Sequence, residues 1–253
     1  MQETNNNIGF IENITSKVLR LAGNANSNEV IIGFVLSGVE KLNKINSVLK
    51  RLYPLVNEYN DVEFSVGILL RSLMMDSIQT QYLASLIEKN LNESKAKIID
   101  ELSHCCLKFM TDSTGFILNE ILDNDSLSTK QKENNKENIL RQFRNLQLNS
   151  IGKYKSEKII LKDIYEKSKS DLAKERNAIY DIYTMYSKYD HLSYWTAFVS
   201  NKMSFDKRLN FLDKAIFLLI LNLRTLLFIA CNYGDKIVLD ECLLEVENYL
   251  NKK

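Results

Sequence analysis

The chain has 253 residues, 45% of them hydrophobic and 26% charged, enough for a sizeable core in one large domain or two small ones. One proline and eight glycines are too few for the turns of an all-β chain and suit long helices. Lys and Arg total 33 against 32 Asp and Glu, a formal net charge of +1. No global field therefore draws the chain to nucleic acid or to an anionic membrane, and a nucleic-acid site would need a local patch.

The opening residues MQETNNN lack a basic segment followed by an apolar run, so no secretory signal is expected. Residues 1–7 are expected to be disordered. Ile11, Ile14, Val18 and Leu21 then recur at helical spacing, with Gly23 as a natural stop. A second helix is expected from near Asn26, where Glu29 gives a capping-box-like start. Its stripe of Ile31, Val35, Gly38, Leu42, Ile45, Leu49 and Leu52 ends before Pro54, the pattern of an antiparallel bundle helix.

The third helix, roughly Glu63 to Leu91, carries one stripe of Phe64, Ile68, Met75, Ile78 and Tyr82 and another of Leu69, Leu73 and Leu83. Apolar residues on several sides place it centrally. A fourth helix runs from about Ser94 to Leu122, with a kink expected around Ser113 to Gly115. Residues 123–138, DNDSLSTKQKENNKEN, are expected to form an exposed polar connection, with a helix starting near Ser128.

A tyrosine-rich helix, about Ala178 to Tyr189, comes next. A long helix follows, with Leu209, Leu212, Ile216, Leu219, Leu223, Leu226 and Ala230 in strict alternation of threes and fours. It contains the most apolar stretch, Ala215 to Cys231, which is 17 residues long and carries Asn222 and Arg224. A spanning helix needs about 20 apolar residues, and a central Arg costs roughly 2.5–3.5 kcal/mol, so a buried core helix is expected and no membrane partner. The last helix holds Ile237 to Leu250. The expected fold is thus all-α, a multi-helix bundle of about seven to nine helices with a central apolar helix, read as one domain over residues 1–253.

The four cysteines, Cys105, Cys106, Cys231 and Cys242, show no metal-ligand spacing and read as buried thiols in a reducing cytoplasm. Phosphate-cradling glycine loops, zinc-protease helices and serine-nucleophile elbows are absent, so no cofactor and no metal is expected. Glu101 and His104 have the spacing of a di-iron element, but such a site needs a second pair and two more carboxylates.

Two segments can carry chemistry. In RSLMMD, Arg71 to Asp76, Arg71 shares the stripe of Phe64, Ile68 and Met75, and so needs an acceptor in the interior or in a cleft. Asp76 lies about 140° around the helix from it, so the two need not meet. Arg71 is either an anion-binding group or half of a structural ion pair, and the structural role stands first. In YDIYTMYSKYDHLSYW, Tyr180, Thr184, Ser187, His191 and Tyr194 fall on one helical face. His191 is then a general base with Ser187 or a tyrosine hydroxyl as partner, or a histidine fixed by a core hydrogen bond, and the second reading stands first.

Small helical ribonucleases of toxin and defence systems carry Arg, four to six residues, then His; RNAIYD from Arg176 starts that pattern but ends in Asp181. The segments LLRSLMMD and YTMYSKYDH together resemble a bacterial all-helical family of unassigned function. That family has an Arg…Glu helix followed by a tyrosine-rich Ser-x3-His stretch, and Asp76 stands here near the place of its Glu. The resemblance implies a bundle in which Arg71, Asp76, Ser187 and His191 meet, with a setting in bacterial stress or phage defence.

The expected function is a helical binding or interaction protein, with a protein or small anionic ligand as partner and Asp76, Tyr183 and Tyr180 as binding residues. The alternative is a metal-independent ribonuclease or other phosphodiesterase in which Arg71 holds phosphate, His191 acts as acid or base, and Ser187 or Tyr183 orients. A homo-oligomer is a third option, through the long helix or the terminal stripe of Leu239, Leu243, Val246 and Leu250. Facing the chain's own core stands ahead of it for both stripes.

Overall fold

The computed structural model describes residues 2–22, 30–122, 124–142, 173–187, 203–234 and 239–252. Among them are eight α-helices and no strand: α1 (Gln2–Ala22), α2 (Val30–Leu52), α3 (Asn60–Lys89), α4 (Lys95–Leu122), α5 (Thr129–Gln142), α6 (Ala173–Ser187), α7 (Phe205–Tyr233) and α8 (Asp240–Leu250). Pro54 starts a 3-10 turn, Tyr53–Asn57, between α2 and α3, because a proline within α2 would remove a ladder hydrogen bond. The all-α bundle expected from the composition is the fold.

The first two helices pair antiparallel, burying Ile8, Ile11, Ile14 and Val18 against Ile31, Val35, Val39, Leu42 and Leu49. Polar groups fix their register. Thr15 Oγ1 donates to Asn43 Oδ1 at 2.8 Å, and Asn46 Nδ2 donates to the Ile8 carbonyl at 2.9 Å.

Residues 2–7 correct the expectation of disorder, being the first turns of α1. Thr4 Oγ1 donates to Asp213 Oδ1 at 2.8 Å, and Asn7 Oδ1 accepts from the Tyr249 hydroxyl at 2.7 Å. The Tyr249 ring stacks on Phe10, with centroids 3.9 Å apart. Side chains from the far end of the chain hold this polar segment in the helix.

The centre belongs to α7. The Ser204 side chain caps its start by accepting from Lys207 N, satisfying one of the orphan donors there. Six successive residues, Leu218 to Leu223, are buried, more than a full turn, so the helix is covered on every side. It touches α1, α2, α3, α4, α6 and α8. By length and composition α7 could cross a membrane, but 72% of its most apolar 18-residue window lies inside the bundle, which accounts for its apolarity internally. Its stripe of Leu212, Ile216, Leu219, Leu223, Leu226 and Ala230 faces the chain's own core, as do Leu239, just before α8, and Val246 within it.

Gly234 ends α7 because of a close approach: a Cβ there would lie 2.5 Å from Ile32 Cδ1. α4 runs unbroken through residues 113–115. Residues 124–137 are largely exposed, with α5 starting at Thr129 after a Ser128 side chain that engages Gln131.

Candidate functional site

Helix α3 lies against α7 and touches α2, α4 and α6, so its polar side chains enter different seams according to their angle. Its core face is Val66, Leu70, Leu73, Met74, Ser77, Ile78 and Gln81. That corrects the expected stripe, since Phe64 is 37% exposed and Ile68, Arg71 and Met75 are only partly buried. Over these turns the helix sets apolar, hydroxyl and amide side chains inward and leaves the arginine at a boundary, where a guanidinium keeps some solvation.

Arg71 enters the seam with α6. Its guanidinium carbon lies 5.9 Å from the centroid of the Tyr183 ring, within cation–π range. One turn earlier, Gly67 lets the two helices close up: a Cβ there would fall 2.8 Å from Cδ1 of Tyr186, whose side chain is 1% exposed. Ser187 donates to the Thr184 carbonyl at 2.8 Å, a bond within its own helix, and Tyr180 is exposed at the surface. Arg71 and Tyr183 thus meet. His191, Tyr194 and Trp195 lie outside the described residues.

Asp76 points elsewhere, as its angle on the helix requires. Its two carboxylate oxygens each lie 2.8 Å from Lys41 Nζ of α2. The expected meeting of Arg71 and Asp76 is replaced by two separate contacts on two sides of α3. Burial raises the Asp76 carboxyl above its usual range, and the attraction and hydrogen bond of Lys41 offset this only in part.

The ion pair stands at a cleft of about 120 Å³ between four helices. Ser37, Gly38 and Lys41 of α2 face Asp76, Gln79 and Thr80 of α3 across it, and Phe34, Phe109, Met110 and Leu226 supply apolar walls. Gly38 opens the α2 side, where a Cβ would meet Leu226 Cδ1 at an ordinary 3.5 Å. The side chains of Lys41 and Asp76 are 43% and 26% exposed, while Asp76 Oδ2 itself is buried and accepts no hydrogen bond.

Two buried polar constellations escaped the sequence. Arg208 Nε lies 2.9 Å from both carboxylate oxygens of Glu63, its Nη1 donates to the Met203 carbonyl at 2.7 Å, and its guanidinium lies 5.8 Å from the centre of the Phe205 ring. The protein itself engages this pair so fully that its role is structural. The Tyr53 hydroxyl donates to Asp213, which also accepts from Thr4. Burial first, then that bond, raises the Tyr53 pKa well above its usual value. Spacing signals neither, because the partners are 145 and 160 residues apart.

None of the four cysteines is in a disulfide. Burial raises the thiols of Cys106 and Cys242 and pushes Cys231 up to about 12, where its hydrogen bond to Asp240 adds to the effect; such thiols are poor nucleophiles. Glu101 Oε2 accepts from Asn90 Nδ2 at 2.7 Å, and His104 is exposed. Among the described residues no three His, Cys, Asp or Glu side chains group to hold a metal.

The geometry defines an all-helical bundle with an interhelical cleft. No protein-family model, curated protein or solved structure matches the chain.

Proposed function

We propose that this protein is a binding module, and that the Lys41–Asp76 cleft takes a small ligand or one side chain of a partner. A single observation carries the reading. A partly exposed ion pair lines a cleft that also has apolar walls, the combination of apolar walls and a few convergent polar groups that small-ligand sites use. The cleft volume corresponds to roughly four waters at bulk density, so it suits a group of amino-acid side-chain size. Methyl-resolved NMR with a panel of small amines, carboxylates and zwitterions tests it. Ligand-dependent shifts are expected to concentrate at Met110 and Leu226; a panel that moves neither methyl set removes the reading.

The contact of Arg71 with Tyr183 favours a second reading, a metal-independent ribonuclease in which Arg71 holds phosphate and His191 moves the proton. It brings a guanidinium to the helix that carries Ser187, where a phosphodiester would need a counter-charge. RNA cleavage by the purified protein, lost in His191→Ala and Arg71→Met, is its expected signature. Cleavage that survives both substitutions excludes it.

A further inference from the structure

Lys41 and Asp76 use little of their capacity on each other. An ammonium has three donors and a carboxylate about four acceptor sites, while the pair is joined only by the two 2.8 Å contacts of one ammonium. Both residues line the cleft, and Asp76 Oδ2 accepts no hydrogen bond, so the pair keeps donor and acceptor capacity for a second partner. Their charges cancel, which constrains that partner. A lone anion drawn to Lys41 meets the Asp76 carboxylate beside it, and a lone cation drawn to Asp76 meets the Lys41 ammonium. A ligand with one charge of each sign, a few bonds apart, satisfies both.

The walls decide the rest of the ligand. Phe34, Phe109, Met110 and Leu226 reward an apolar group, since apolar surface gains by leaving water, and the volume excludes a nucleotide or an oligosaccharide from enclosure.

Resting on the cleft reading above, we propose that the ligand is a free α-amino acid with an apolar side chain. Its ammonium lies on Asp76, its carboxylate on Lys41, and its side chain sits between the aromatic and aliphatic walls. Ser37 and Thr80 at the same cleft offer hydroxyls to either polar group. This departs from the anionic ligand expected from the sequence, and the reason is the neutrality of the Lys41–Asp76 pair.

Calorimetric titration with L-leucine, L-methionine and L-phenylalanine, each compared with isocaproate and isoamylamine, separates the possibilities on the unmodified protein. Isocaproate is leucine without the ammonium, and isoamylamine is leucine without the carboxylate. At least one amino acid is expected to bind, with each single-charge analogue weaker by about tenfold or more. Lys41→Met and Asp76→Asn, checked for retained helix content and melting temperature, are each expected to weaken the amino acid by a similar factor. Equal binding of leucine and isocaproate would overturn the zwitterion assignment. So would the absence of any amino-acid binding. If other panel members still shift Met110 and Leu226 in the NMR experiment, the cleft reading stands while this proposal falls.

Discussion

Two ion pairs of helix α3 live in opposite surroundings. Near its start, Glu63 and Arg208 are 7% and 12% exposed, and Arg208 also binds a backbone carbonyl. Further along, Asp76 and Lys41 meet across a cleft at 26% and 43% exposure. The same division runs through the glycines: a Cβ at Gly67 would clash with Tyr186, whereas one at Gly38, beside the cleft, would make only ordinary contact with Leu226. At Glu63 and Gly67 the side of α3 facing α7 and α6 is closed, and at Asp76 the side facing α2 and α4 borders a cleft. Burial, more than the presence of charge, separates a brace from a pair left partly exposed.

Breaking the sealed pair should produce the largest effect. Arg208→Ala is expected to cost about 3–5 kcal/mol, because it strands the Glu63 carboxylate in the interior, and urea denaturation reads the loss directly. The double variant Glu63→Gln with Arg208→Met should recover much of it. Gly67→Ala comes next, at about 1–3 kcal/mol from the clash with Tyr186. Gly38→Ala, at the open cleft, should instead be neutral or stabilise by up to about 1 kcal/mol through helix propensity. Should both alanines cost the same, the contrast between the two seams is lost.

Lys41→Met should cost about 1 kcal/mol or less, in keeping with a solvated pair; a loss equal to that of Arg208→Ala would make the cleft pair a second brace. The smallest effect is a pH dependence. The folded Asp76 carboxyl titrates above its unfolded value, so the folded state binds the proton more readily. Its share of stability is present at low pH and is lost as pH rises through the raised folded value. The stability difference between the unmodified protein and Asp76→Asn should therefore shift in favour of the unmodified protein on acidification through that window. A flat difference would mean that the carboxyl is not perturbed.

The helices of this bundle were largely legible because α2 and α7 repeat their apolar residues at threes and fours over many turns. The orientation of α3 was not. With apolar residues on several sides its own pattern selects no face, and the inward side is set by α7 and α6, which arrive from far along the chain. The start of α1 differs from its polar sequence for the same kind of reason, since Asp213 and Tyr249 hold Thr4 and Asn7 in place. Asp76 and Arg71 were recognisable as polar residues in an apolar helix. Nothing in the sequence, however, connects Asp76 to Lys41, whose own helix presents several exposed lysines of similar spacing. Charged residues mark themselves by standing in apolar company, but their partners are chosen by the fold.

The most direct test of the cleft as a binding site is a crystal structure of the protein soaked with the same panel of small amines, carboxylates and zwitterions. Density for a bound molecule between Lys41 and Asp76, with its apolar part against Phe34, Phe109, Met110 and Leu226, is the predicted result. Density confined to the Arg71–Tyr183 seam, with the cleft holding only water, would contradict it.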